Sequence, residues 1–440
     1  MSSLNNSVWR DAPVDQRSRA ALAVRDLEYR TVAHGADADH AAWLQAASRG
    51  FQDDERTEEQ IAAHREASGY RRLTGVYDGA APVPEMPVAT LSSWIGELSV
   101  PGGRGIPSCA ISSVTVAPTH RRRGIARAML EGELRAAAAA GAPMAMLTVS
   151  ESTLYGRYGF APAAGSASWT IETKRAGWRG PQPAGRVDFI PRQRARELLP
   201  LVHERMRTAA PGEIDVPGDF WDRFTATRPD IKDGGKLRAV QFADAAGEVR
   251  GLALYTVTGN DEDFTKARVH VSYLLAETDD AYAALWRFLL DLDLVGTVTA
   301  HELSVDEPLM WMIDDQRAAT VTVRDHQYVR ILDVAAALQA RTYAAPGRFL
   351  LAVADALDIT AGHYLLDIAP HGTATVTPAG TAPLPGTVPV EMDIRELSAV
   401  YLGGVSPVTL ARAGLVRTTD AAAFARAFSW HVAPRLSLWY

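Results

Sequence analysis

With 440 residues, 47% of them hydrophobic and 22% charged, the chain has room for about three globular domains, each with its own core. A net charge of −7 argues against a general nucleic-acid binder, which carries a basic face. The single cysteine, Cys109, excludes an intramolecular disulfide and a multi-cysteine metal site, and its apolar neighbours mark it as a small core residue rather than a nucleophile.

Residues 1–27 begin polar and mixed in charge, without the apolar stretch of a signal peptide. They read as a flexible extension, with some helix open at Gln16–Asp26. No apolar run nears the ~18 residues that span a bilayer, so the expectation is a cytoplasmic protein with no membrane partner. A strand is expected at Tyr29–Ala33, helices at Asp39–Arg49 and Thr57–Ala67, and strands at Arg71–Tyr77 and Pro87–Leu98. Ser108–Val116 is strongly β-prone and stops before Pro118. Arg121-Arg122-Arg123-Gly124 follows, then the alanine- and leucine-rich helix Ile125–Ala140, a short strand at Met144–Val149, and a turn with a short helix at Ser150–Tyr158. Strand, basic turn, long helix and strand form an α/β crossover unit.

Gly177–Gly185 reads as a linker. A second round follows: a strand at Arg186–Ile190, a helix at Ala195–Arg207, strands at Leu237–Phe242, Gly251–Val257 and Ala267–Leu275, a helix at Ala281–Leu290, and a strand at Gly296–His301. It fits a degenerate copy of the first architecture, although no clear internal repeat is visible. From about Arg324 the pattern changes to strands at Tyr328–Leu332, Gly347–Val353 and His363–Ile368, a loop or hairpin over His371–Gly386, and helices at Ile394–Leu402 and Thr409–Ala413. This predicts a third, α+β domain.

Chemistry concentrates in Arg121-x-x-Gly124-x-Ala126. A pyrophosphate needs converging backbone N–H donors, and a helix N-terminus supplies them with the positive end of its dipole. Glycine and alanine let the backbone approach, and arginines add forked, charged hydrogen bonds. Alone, a basic tetrapeptide is a solvated turn; between a β-run and a helix it reads as the coenzyme A-binding motif of GNAT acetyltransferases.

The longer string SSVTVAPTHRRRG resembles the Eis (enhanced intracellular survival) family of GNAT-type N-acetyltransferases. So do Ser150-Glu151 followed by Leu154–Phe160, Asp306–Leu309, Arg341-Thr342-Tyr343 and Val400–Gly404. The resemblance implies an α/β and α+β fold: tandem GNAT domains followed by a C-terminal sterol-carrier-protein-like domain. Its expected divisions are 28–184 for the acetyltransferase domain, 185–324 for a second GNAT-like domain without a cofactor site, and 325–440 for the last. It also implies a homohexamer, acetyl-CoA as co-substrate, no metal, and an amine acceptor of the aminoglycoside, polyamine or lysine type. By position, acetyl-CoA would lie against Val114, Thr115 and Val116, against Arg122, Arg123, Gly124, Ile125, Ala126 and Arg127, and against Ser150 and Glu151. Tyr155 matches the family's general acid, and the chain's terminal carboxylate, here on Tyr440, its general base.

Those roles agree with the chemistry required. An aliphatic amine with a pKa of about 10.4 is ~0.1% neutral or less at pH 7, so a base must take its proton. A phenol can protonate the departing thiolate, and a backbone N–H freed by a bulge near Val116 can polarise the thioester oxygen. Tyr155 taken alone would be core filling, and the apolar ending Leu438-Trp439-Tyr440 is equally explained by packing. His120 reads as a loop-orienting residue, Asp53 and Asp54 as a solvated loop, and Trp311 as core. Two features depart from the wide acidic pocket of aminoglycoside-acetylating members. Trp439 stands where an acidic residue can occur, and Thr148 where a histidine can. A lipid-binding or scaffolding protein, or an acyltransferase preferring longer acyl chains, stays open as an alternative.

Overall fold

The computed structural model describes residues 6–440 apart from 229, 232 and 383. The chain divides into two units: one takes the residues up to Ala163 with Gln327–His431 and Tyr440, the other Ala164–His326 with Val432–Trp439.

The first unit opens with α1 (Asn6–Arg10), α2 (Gln16–Ala23), β1 (Leu27–Thr31), α3 (Asp37–Phe51), α4 (Glu58–Ala67), β2 (Arg72–Asp78), β3 (Ala89–Val100) and β4 (Arg104–Val116). It continues through α5 (Ile125–Ala139), β5 (Met144–Thr148) and α6 (Ser152–Tyr155). The strands lie in the order β1-β2-β3-β4-β5, antiparallel except for the parallel β4–β5 pair that α5 connects. Ile125, Met129, Leu130 and Leu134, one stripe of α5, share a core with Leu91, Cys109, Ile111 and Leu147. Trp43, Leu44 and Ala47 of α3 pack with Val32 and Leu73, and the Trp43 indole donates to the Thr74 carbonyl at 2.8 Å.

The described part of the expected flexible extension, residues 6–27, is instead two helices and the start of β1 fixed to this sheet. The indole of buried Trp9 donates to Ser93 Oγ at 3.0 Å, and Asp15 pairs with Arg135 at 2.8 Å. Polar composition concealed those long-range anchors; residues 1–5 lie outside the described residues.

The second unit is built on β6 (Ala161–Glu172), α7 (Thr173–Ala176), β7 (Gly185–Ile190), α8 (Arg192–Met206), α9 (Gly218–Phe224), β8 (Arg238–Asp244), β9 (Val249–Thr258), β10 (Ala267–Ala276), α10 (Asp279–Leu290), β11 (Val295–Leu303), α11 (Leu309–Met312) and β12 (Ala319–Ile331). Its strand order is β6-β11-β10-β9-β8-β7. Alternation along β9 divides its core: Leu252 and Leu254 pack with Leu199 and Val202 of α8, Ala253 and Tyr255 with Leu285 and Trp286 of α10. Trp311, expected in the core, is 70% exposed.

The last five residues of β12, in the first unit, pair antiparallel with β5, Gln327 opposite Thr148. Beyond them come α12 (Val334–Ala340), β13 (Gly347–Ala354), β14 (Gly362–Ile368), β15 (Ala374–Pro378), β16 (Val388–Asp393), α13 (Ile394–Val400), α14 (Pro407–Arg412), β17 (Val416–Thr418) and α15 (Ala421–Phe428). These strands form a separate sheet, β15-β14-β13-β16-β17.

Candidate active site

β4 carries a bulge at the position where the site begins. Thr90 of β3 faces Thr115, but Ser92 faces Ser112, so β4 holds one more residue than β3 between those rungs. Ser113 takes up the excess with φ of 53°, and Thr90 Oγ1 donates to its carbonyl at 2.9 Å. Thr115 and Thr90 hydroxyls meet at 2.8 Å. α3 lies hard against this segment: a Cβ built on Gly50 would fall 2.4 Å from Thr115 Cβ.

The parallel rungs between β4 and β5 cover Ser108–Ala110 and Met144–Met146, although β4 runs on to Val116 and β5 to Thr148. Beyond those rungs the two strands run on unpaired with each other, Val114–Val116 on one side and Leu147–Thr148 on the other, the two edges of a candidate cleft. A chain with its own amides can lie there and complete the strand pairing.

Past β4 the chain turns through Pro118–His120. His120 orients that turn, its Nε2 lying 3.0 Å from Asp78 and its Nδ1 2.8 Å from Thr119 Oγ1. This contact draws the Asp78 carboxyl below its ordinary range. Arg122 and Gly124 have φ of 63° and 72°, the left-handed conformation that turns the loop into α5. Gly124 caps α5 without a side-chain hydrogen bond. Arg122, Arg123, Gly124 and Arg127 are exposed, Ala126 is half-buried and Ile125 is buried beneath them. Positive charge, left-handed backbone and a helix end thus coincide, the arrangement a pyrophosphate requires.

Tyr155 ends α6, immediately after exposed Ser150 and Glu151. It is 9% exposed and meets Phe160 edge to face, ring centroids 6.2 Å apart. Burial, then the negative charge of Glu151, raises its phenol pKa. Gly159, φ of 83°, ends the same turn; a Cβ there would lie 2.6 Å from Nε of buried Arg330, whose guanidinium pairs with Asp355 at 2.8 Å.

Tyr440 is 8% exposed, with its ring edge on Trp94 at 5.2 Å. Thr148 Oγ1 donates to the Tyr440 main-chain oxygen at 2.6 Å and accepts from the Tyr440 nitrogen at 3.3 Å. Cys109 is buried, and burial pushes its thiol pKa well up.

The positions named from sequence for cofactor contact thus gather around one cleft and one helix end. Tyr155 and Tyr440 belong to the same unit but contact different partners, Phe160 and Trp94. Asp53 and Asp54 stay exposed, Asp53 pairing with Arg56 at 2.7 Å. Sequence reasoning missed Thr90 as the bulge's anchor and Thr148 as the clasp on Tyr440. No motif surrounds either threonine, and only the occupied register reveals them.

Two models described as acetyltransferase (GNAT) domains match residues 31–163 and 212–331, and a sterol carrier protein domain model matches 334–437. An uncharacterized N-acetyltransferase of Streptomyces avermitilis is 35% identical over 401 residues, 89% of this chain and 93% of that one. N-acetyltransferase Eis of Mycobacterium tuberculosis is 35% identical over 355 residues, 78% of this chain and 83% of that one. The crystal structure of Eis1 from Mycobacterium abscessus superposes with a TM-score of 0.78 at 28% identity, covering 94% of this chain and all of that one. The chain belongs to the Eis family of GNAT-type N-acetyltransferases.

Proposed function

We propose that the cleft between β4 and β5 binds acetyl-CoA and that the first unit transfers its acetyl group to a primary amine. GNAT domains use acetyl-CoA as co-substrate, and its thioester supplies the activated acetyl group. Val114–Val116 would pair with the pantetheine amides, Arg122–Arg127 would hold the pyrophosphate at the start of α5, and Ser150 with Glu151 would border the thiol end. The Tyr440 main-chain carboxylate takes the acceptor's proton as the amine nitrogen attacks. Tyr155 gives its own proton to the sulfur as the C–S bond breaks. A buried carboxylate is a stronger base than one in water, and a phenol whose pKa is raised stays protonated at neutral pH.

The single observation that carries this reading is the Thr148 clasp. A hydroxyl within 2.6 Å of the Tyr440 oxygen fixes that group at the end of β5, the strand that borders the cleft.

The second GNAT domain is proposed to hold no cofactor. In β10 the same kind of bulge recurs at Ser272, and β10 pairs parallel with β11. Yet α10, which follows β10, is capped by the Thr278 side chain and carries Asp279 and Asp280 in its first turn. One amide is already taken, by Thr278 Oγ1, and the two carboxylates repel a pyrophosphate. The same reading divides the chain at 28–184, 185–324 and 325–440, and takes it as a homohexamer, which light scattering on the eluting protein tests.

The acceptor is proposed to be an aminoglycoside, polyamine or lysine side chain. Release of free thiol from acetyl-CoA, measured across those three classes, tests the assignment. Acceptor-dependent release names the class; acetyl-CoA turnover with none of them overturns this acceptor assignment, and failure to bind acetyl-CoA overturns the site.

A further inference from the structure

The first two helices lie outside the acetyltransferase domain model, which begins at residue 31. Even so, α2 is fastened along α5: Ser18 Oγ donates to the Ala128 carbonyl at 2.6 Å, and Arg135 donates to Asp15 at 2.8 Å. Between the two helices lies a cavity of about 200 Å³, whose lining includes Arg17, Arg25, Gly124, Arg127, Glu131 and Arg135. The Arg25 guanidinium sits directly over Gly124; a Cβ built there would be 2.6 Å from Nη1.

Charge in this cavity is unbalanced. Asp15 and Glu131 serve Arg135 at 2.8 and 3.6 Å, and Glu131 reaches Arg127 at 3.9 Å. Among the described residues Arg17 and Arg25 have no carboxylate partner. Arg17 and Arg25 are exposed at this cavity, so their guanidinium groups are open to an anionic ligand from solution. An N-terminal segment that brings Arg25 to the capping glycine of α5, with Arg17 on the same cavity, has the makings of a ligand contact.

We infer that this cavity binds the 3′-phosphate of coenzyme A, with Arg25 and Arg17 as its donors. The inference rests on the proposed acetyl-CoA site at Arg122–Arg127. A pyrophosphate at the start of α5 leaves the adenosine end to continue past Gly124, and a phosphate monoester dianion matches forked guanidinium donors. The N-terminal helices would thereby make the enzyme selective for the phosphorylated cofactor.

Binding of acetyl-CoA and of acetyl-3′-dephospho-CoA to the full chain, by calorimetry, tests this, in the natural protein and in Arg25→Ala, Arg17→Ala and Arg25→Lys. The natural protein should favour acetyl-CoA by roughly tenfold, equivalent to about 1.4 kcal/mol. Arg25→Ala should remove most of that preference by weakening acetyl-CoA alone, Arg25→Lys should retain part of it, and added salt should shrink it. Equal affinities in the natural protein, or equal weakening of both ligands by Arg25→Ala, would overturn the assignment and leave the transferase reading standing. Inorganic phosphate competing as well as adenosine 3′,5′-bisphosphate would also overturn it, marking a generic anion cavity. Failure to bind either thioester would overturn both proposals.

Discussion

At the residue scale, one hydroxyl, that of Thr148, meets both the main-chain nitrogen and the main-chain oxygen of Tyr440. Hydrogen bonds to charged groups contribute roughly 1.5–3 kcal/mol, so the Thr148 clasp is large enough to decide where a carboxylate sits. Thr148→Val, nearly isosteric, should lower kcat by about ten- to a hundredfold and change acetyl-CoA affinity far less, because the hydroxyl removed holds the proposed base while the methyl that replaces it keeps the shape of the cleft wall. Thr148→Ser should restore most of the activity; steady-state kinetics with calorimetric binding checks both. Tyr155→Phe should cost kcat on the order of a hundredfold with the same unaltered affinity. The raised phenol pKa gives this a pH signature. The acid form is present below the pKa, so activity should hold through neutral and mildly alkaline pH, without an acid-group loss until above about 10. A kcat profile falling with a pKa near 8 would remove Tyr155 from the acid role.

At the element scale, the site depends on two places where backbone lies too close for a side chain. Gly124 has φ of 72° and lies under Arg25, so Gly124→Ala should weaken acetyl-CoA binding and lower stability by about 1–2 kcal/mol, read by titration and thermal melting. At Gly50 any side chain would meet Thr115 and push α3 off the bulged segment. The strand, basic loop and helix around Gly124 were legible in sequence because their signals are local: a β-run, a proline, a glycine, then alanine-rich helix. β6 was not, since Ala161-Pro162-Ala163-Ala164-Gly165 has little strand propensity and its two neighbours in the sheet, β12 and β11, are remote in the chain. α1 was missed for a similar reason, because a long-range hydrogen bond from Trp9 to Ser93 fixes it. Among the site residues, 121–126 pointed to phosphate binding before any family resemblance, but only because a β-run precedes them and an alanine-rich helix follows. Tyr155 and Tyr440 entered only through family resemblance, and Thr148 only as a departure from it. A bulge is a mismatch of register, and register is absent from one strand's sequence.

At the scale of the whole molecule, both units contain carboxylates held below their ordinary pKa. Burial alone would raise Glu213, yet His203, Arg435 and Ser437 outweigh it; Arg330 does the same for Asp355, and Arg135 with Ser18 for Asp15. Lowered folded-state values mean stability that is fully present above the unfolded carboxyl pKa of about 4 and lost as pH falls through the folded values. The denaturant midpoint should therefore be nearly flat from neutral pH down to about 5 and fall steeply below 4. A midpoint unchanged down to pH 3 would show that these pairs do not stabilise the fold.

The proposed chemistry stands or falls on the Tyr440 carboxylate as base. Its most direct test compares protein confirmed by intact mass to end at Tyr440 with the same chain extended by a few residues, which converts that carboxylate to an amide. Acceptor-dependent thiol release from acetyl-CoA should be at least about a hundredfold slower in the extended chain, with acetyl-CoA affinity retained. Equal turnover by the two chains would contradict it.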